Sequence, residues 1–471
     1  MEIEREDLTL NEIIAKIFLL CLPLRMLSFI YPISSIFGMQ AESLSSIFLI
    51  IGLFFSVLSN NGIPYSCSVE QNRLFNYYWK VVILAGITSL LMAVYVSFTY
   101  GYYNNSNSPY GAVLKIILNF IQYGLVFWYS REIFRTLSVK EIIRCILIST
   151  RICLVVGYLQ IFVLKSVPMI TPLYNYLAEI FMWGKFNQQI ALTFYEPSWA
   201  AMFIGVIVIP LHMSNILKND SKKAKSVIEL LIWLPVIVMT KSTTAYLMAF
   251  AALSSGLLYV IFSQKSSIYG KILSVIFIIV GILFIENLDY FDSLLGFKFS
   301  YLVSEKATDL GNMSTVARSI PLIGNWEIFK EFPLLGCGNG LQGYFFPDLI
   351  PNDYYRVLYL DKATTLMLSG HSKSIPNGQL FFPGILSGYG IVGTGLFAMF
   401  FYNCIDLLRK NFNGYGRLGI MYMLALIPIF LSGIKSEFVG ILYIWFILSI
   451  PFSFQTDESN IKEVTANGEV E

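Results

Sequence analysis

The stretch WKVVILAGITSLLMAVYVSFT, residues 79–99, decides the fold class. Its only charged side chain is Lys80, one residue in from the start. A helix needs about 20 mostly apolar residues to cross a hydrocarbon layer, and this run supplies them without interruption. A soluble core could bury one such helix. It could not bury the further runs of the same kind found along the chain.

Working outward, similar runs centre on residues 13–36, 44–58, 112–130, 142–164, 191–213, 226–240, 244–263, 268–286, 384–408, 417–433 and 437–454. With the first, they predict an all-α polytopic membrane protein of about twelve transmembrane helices. Composition agrees. Charged residues are 13% of the 471 and hydrophobic residues 56%, against about 25% charge in soluble proteins. The mean hydropathy is +0.65. A net charge of +2 with cations scattered between apolar runs offers no basic stripe, so no nucleic-acid partner is expected. The opening MEIEREDLTLNE has mixed charge, and no small-residue cleavage site follows the first apolar run. That run is therefore read as an uncleaved span.

Lys and Arg in alternate connections set the orientation. They are Arg73 and Lys80; Arg131, Arg135, Lys140 and Arg144; Lys218, Lys222, Lys223 and Lys225; Lys265 and Lys271; and Arg409, Lys410 and Arg417. The intervening GMQAES and YGYYNNSNSP carry no cation. Both termini are thereby predicted cytoplasmic. Residues 1–287 hold nine predicted spans, 384–454 three more, and 455–471 form a polar, acidic tail with no apolar pattern, expected to be disordered.

Parity puts the segment 288–383 outside the cell as one long extracytoplasmic loop, and a loop of that length is commonly functional. Within it PLIGNWEIFKEF reads as an amphipathic interfacial helix, with Ile323, Trp326 and Phe329 on one face. Of six cysteines, only Cys337 falls in this compartment, so no disulfide partner is available there. No CxxC or Cys/His cluster suggests a metal site, and no cofactor is implied.

Ionisable residues near spans are the candidates for chemistry. Glu196 opens the sixth span in TFYEPSWAAMF. It reads either as an acid–base or substrate-binding carboxylate, or as a helix-start acid beside Pro197 and Ser198. Lys241, in the tight turn of VMTKSTTAYLM, either binds an anion or caps a helix C-terminus. Arg25 falls mid-span, as a structural charge or as a sign that the span ends earlier. His212 is expected at the interface near the inner end of the sixth span. The long loop offers Arg318, Arg356, His371 and Lys373; a guanidinium pairs well with diphosphate oxygens, and a His can act as general base. GCGNG, residues 336–340, looks like a phosphate loop, but no GK[ST] follows. The alternative is a turn in positive φ after a helix ending at Leu335.

Three motifs in order carry a resemblance: YEPSWAA; MTKSTTAYL; and ARSIPLIGNWEIFKEFPLLGCGNG followed by PNGQLFFPGILSGYGIVG. Together they resemble the O-antigen polymerase and ligase superfamily of membrane glycosyltransferases, the Wzy type, over residues 190–395. The resemblance implies a GT-C-like architecture in a bacterial inner membrane. It also implies a polyprenyl-diphosphate-linked oligosaccharide as substrate, with a flippase and a chain-length regulator as partners. By position Glu196, Arg318 and Asn377 match its motifs, and Lys241 stands where ligase-like members place Arg one or two residues later. Ligases show His directly before the Asn of the third motif. Here Pro376 stands there and His371 lies upstream, which favours a polymerase. On this reading Glu196 or His371 is the base, and Arg318, Arg356 and Lys241 stabilise the departing diphosphate. The alternatives are a ligase acting on lipid A-core and a lipid-linked sugar transporter.

Overall fold

The computed structural model describes residues 9–25, 27–30, 43–59, 69–100, 108–165, 170–181, 189–194, 196–218, 223–240, 242–262, 313–349, 380–410, 412–435 and 441–452. Among these residues the regular structure is helical, with a single isolated bridge between Arg25 and Ser43. In chain order the helices are α1 (Leu10–Leu20), α2 (Leu44–Ser59), α3 (Val69–Tyr100), α4 (Pro109–Thr136), α5 (Val139–Leu164) and α6 (Thr171–Phe181). There follow α7 (Pro197–Leu217), α8 (Lys223–Met239), α9 (Thr243–Phe262), α10 (Met313–Glu331), α11 (Gln342–Leu349), α12 (Phe381–Lys410), α13 (Phe412–Lys435) and α14 (Leu442–Ser449).

Seven of these are long and apolar enough to span a membrane: α3, α4, α5, α7, α9, α12 and α13. Leu44–Leu58 and Leu442–Phe452 are shorter apolar helices. The chain is a multi-pass, all-α membrane protein. On α3 the side chains of Ile83, Ile87, Leu91 and Phe98 are exposed, Phe98 by 87%. A row of exposed large apolar residues is stable only against lipid. Inside the bundle the aromatics pack on one another, Tyr123 stacked on Trp445 at 3.7 Å between ring centroids.

The first apolar run departs from expectation. A single crossing over 13–36 was predicted, yet α1 stops after 11 residues, about 16 Å of helix, too short to span. The chain then turns irregularly through Cys21–Arg25. The run predicted at 268–286 lies outside the described residues. A helix not predicted, α6, packs its Leu177 and Ile180 side against Leu27, Ile30 and Ala191.

Local signals explain the starts. Thr9 with Glu12, and Ser138 with Glu141, form capping boxes at α1 and α5. Lys16 of α1 bonds Glu141 at 2.9 Å and ties the two starts together. Pro109 and Pro197 each open a helix, where a missing N–H costs nothing. Helix α7 passes through a π turn at Ile204–Val208, just before Pro210. Pro210 cannot donate to the carbonyl one turn back, and its ring crowds it; the wider turn relieves both. His212, expected at the interface, is instead buried (1% exposed), its Nε2 3.6 Å from Glu229, which binds Arg151 at 2.6 Å. The helix is packed on several sides there, against α8, α9 and α13.

The most constrained packing lies where α12 breaks. Gly390 has φ 60°, and the preceding turn leaves carbonyls unused by the helix. The chain after α10 fills the gap. Cys337 N–H donates to Ser387 O (2.9 Å), Gly338 N–H to Gly388 O (2.9 Å), Ile391 N–H to Pro333 O (2.8 Å) and Val392 N–H to Leu334 O (3.2 Å). A Cβ at Gly390 would come within 2.4 Å of the Leu334 carbonyl, whereas one at Gly395 would meet nothing. Gly390→Ala is therefore expected to cost roughly 2–4 kcal/mol through positive-φ strain and overpacking, and Gly395→Ala to be neutral. Thermal melts of the two detergent-solubilised variants check the contrast; equal melting would show that the break tolerates a side chain.

Candidate functional site

Four pieces of chain converge at Glu196. The approach to it, residues 189–194, is non-helical, with Leu192 left-handed at φ 55°. Gln160 of α5 holds it. Its Oε1 accepts from the N–H groups of Ala191 (3.1 Å) and Leu192 (3.0 Å), and its Nε2 donates to Leu192 O (3.0 Å). Thr193 Oγ1 donates to Pro23 O at 2.8 Å, which fastens this segment to the irregular turn after α1. Ile190 N–H donates to Met239 O at 3.3 Å, which fastens it to the end of α8.

Glu196 is the N-cap of α7, in extended backbone, but its side chain makes no capping hydrogen bond. Its carboxylate instead accepts from Ser198 Oγ at 3.0 Å and is half-buried. A carboxylate serving only to start the helix would accept from free backbone N–H groups of the first turn. This one does not, although Glu196 does start α7 beside Pro197 as the helix-start reading expects.

One turn on, the Trp199 ring lies under Arg25, whose Cζ is 3.9 Å from the ring centroid. Arg25 is 4% exposed. A desolvated cation–π contact contributes about 2 kcal/mol. Tyr443, from α14, donates its hydroxyl to Trp199 O at 3.3 Å. Phe194, Phe203 and Tyr443 contact one another edge-on or tilted, and close the bundle interior beneath Glu196.

The other sequence candidates fall in different places. Lys241 lies outside the described residues. Arg318 lies in the first two turns of α10. Arg356, His371, Lys373 and Asn377 lie outside the described residues. Arg25 lies beyond the end of α1 at Leu20, so the span boundary drawn through it was wrong, as its charge inside an apolar run suggested.

The GCGNG loop is not a phosphate cradle. Gly336, Gly338 and Gly340 do have φ of 71°, 85° and 89°. Every N–H in it is already engaged, however: Gly336 to Phe332 O, Cys337 and Gly338 to α12, Asn339 to Ser89 Oγ, and Gly340 to Asn339 Oδ1 and Gln342 Oε1. An anion would find no donor. Helix α10 also ends at Glu331 rather than Leu335. Its buried stripe is Pro321, Asn325 and Ile328, while Trp326 is 51% exposed and pairs with Phe329, so the face predicted apolar points away from the protein. Among the described residues no three His, Cys, Asp or Glu side chains cluster as metal ligands.

No protein-family model matches the chain, and no curated protein matches it.

Two outcomes follow from this geometry. Gln160→Leu would strand two buried N–H groups and a carbonyl and is expected to destabilise the protein by roughly 3 kcal/mol or more, read as a lowered melting temperature; an unchanged melt would refute the clamp. Cys337 is fully buried and its thiol is pushed up by burial. It should stay unlabelled by a maleimide until the protein is denatured, and rapid labelling in the folded state would contradict this packing.

Proposed function

We propose that the chain is a polysaccharide polymerase of the O-antigen type in a bacterial inner membrane. Its reaction transfers a growing glycan from polyprenyl diphosphate onto a lipid-linked repeat unit at the outer face. The reading assumes about twelve crossings of GT-C-like arrangement, with cytoplasmic termini and an outward-facing segment 288–383. The observation that carries it is Glu196: a half-buried carboxylate at the start of α7 that accepts from Ser198 rather than from the helix backbone, one turn before an indole stacked on a buried arginine. The ordered motif resemblance supports the same residue.

In the reaction, an acceptor sugar hydroxyl attacks the anomeric carbon of the donor. The new C–O bond forms as the bond to the diphosphate oxygen breaks. The hydroxyl proton passes to Glu196, and polyprenyl diphosphate leaves with the electron pair. Cations stabilise the charge on that leaving group, and Arg318, Lys241 and Arg356 are assigned to it. Asn377 and Lys373 hold substrate, and His371 is the alternative base. A flippase supplies the lipid-linked unit, and a chain-length regulator is a further partner.

Deletion of the gene is expected to leave a single capped repeat unit in place of the polysaccharide ladder. Complementation with Glu196→Gln or Arg318→Ala should restore membrane protein but not the ladder. A deletion that removes even the single unit would instead identify a ligase, and an unchanged ladder would exclude both. Topology is tested in a Cys67→Ser background by Lys330→Cys, whose side chain is 55% exposed. Labelling by a membrane-impermeant maleimide in intact cells is expected, and labelling only after permeabilisation would overturn the scheme.

A further inference from the structure

The end of α10 and the residues after it change character abruptly. Glu327, Lys330 and Glu331 carry charge, and Lys330 bonds Glu327 at 2.7 Å. From Phe332 to Leu335 the sequence FPLL is wholly apolar. Leu334 is 66% exposed and Leu335 53%. Large apolar side chains left open side by side mark a surface that has a partner.

Their neighbours identify that partner. Ile391 N–H donates to Pro333 O and Val392 N–H to Leu334 O, so the pair sits against α12 just after its break. Ile391 and Val392 are themselves exposed, and α12 is long and apolar enough to span the membrane. Leu335 also lines a cavity with Val81, Ala85 and Thr88 of α3 and Val392 and Leu396 of α12. Along this part of α3 the side chains of Ile83, Leu84 and Ile87 are exposed. The Leu334–Leu335 patch is therefore continuous with the lipid-facing surface of two spanning helices.

Register gives the depth. Asn339 N–H donates to Ser89 Oγ at 3.1 Å, and a Cβ at Gly338 would lie 3.0 Å from the Met92 Cβ. From Ser89 to Tyr100, the end of α3, is about 16 Å of helix. A Cβ at Gly340 would meet Ala112 O at 3.0 Å, in the first turn of α4. Ile328 before the turn, and Tyr344, Phe345 and Phe346 of α11 after it, join one cluster with Ala93, Val96 and Val113. The chain thus enters and leaves at the same end of the bundle. Non-helical backbone at membrane depth persists only where its polar groups are satisfied, and α12 and Ser89 satisfy them here. The exposed Trp326 and the long stem of Lys330 lie before FPLL in the chain, and both residue types favour the headgroup level.

We propose that residues 332–341 form a re-entrant turn whose Leu334 and Leu335 insert among the acyl chains of the leaflet at the Tyr100 end of α3. The occupant is lipid because the patch continues a surface that lipid already covers. The inference needs the multi-pass fold and not the polymerase reading.

The test uses the full chain, in a Cys67→Ser background, in phosphatidylcholine nanodiscs. The remaining cysteines are buried. Leu334→Cys carries an environment-sensitive fluorophore. Leu91→Cys on α3, where the native side chain is also 66% exposed, is the hydrocarbon reference, and Lys330→Cys the headgroup reference. Emission at Leu334→Cys is expected to be blue-shifted from that at Lys330→Cys. It should be lost to doxyl-labelled phosphatidylcholine as strongly as at Leu91→Cys, and should resist aqueous iodide. Quenching by iodide as at Lys330→Cys would overturn the proposal, since the patch would face water. Resistance to both quenchers would also overturn it, since protein from this chain or a second copy would cover the patch. Where Leu334→Cys does not yield folded protein, Leu335→Cys is read against the same references by the same criteria.

Discussion

An apolar environment forbids unpaired backbone groups, and at two irregular points of this structure side chains or neighbouring chain repair the damage. At Leu192 the repair is one side chain, Gln160, which supplies two acceptor contacts and one donor. At Gly390 it is a whole loop, whose N–H groups take the carbonyls that α12 no longer uses. Both breaks depend on groups distant in sequence. Each is therefore rigid only in the assembled fold.

The two repairs serve different ends. The loop at Gly390 is saturated: its glycines allow close backbone approach, Ser387 binds Asn325, and Gln342 bonds Asn339 and Gly384. Nothing there is left for a ligand, which makes it a structural lock between α3, α10 and α12. The turn before Glu196 is held from outside by Gln160 and Thr193, and the carboxylate of Glu196, the residue that starts α7, accepts from a serine hydroxyl. Glycine-rich character thus marked the lock, and a Glu-Pro-Ser sequence marked the start of α7.

One turn on from Glu196, the buried Arg25 stacks on the Trp199 indole, and Tyr443, which packs on Phe194 and Phe203, bonds the Trp199 carbonyl. A second ionic group, Arg151 with Glu229 and nearby His212, joins α5, α7 and α8 about 22 Å of helix away from Pro197. It binds helices together through charges set against one another.

Hydropathy alone determined the class of the protein and most of its helices. Free energy of transfer sums along a run, and a run such as 79–99 needs no partner to declare itself. The helix start at Glu196 was also legible, from the charge and Pro197 beside it. Tertiary structure alone decided the break after α1, the stacking of Arg25 on Trp199, the burial of His212 and the saturation of GCGNG. Each depends on which distant group fills a hydrogen bond or covers a face: Ser43 and Trp199 for Arg25, Ser387 and Gly388 for the loop. A local pattern states what a segment prefers; whether its polar groups are spent is fixed only by what the fold sets against them.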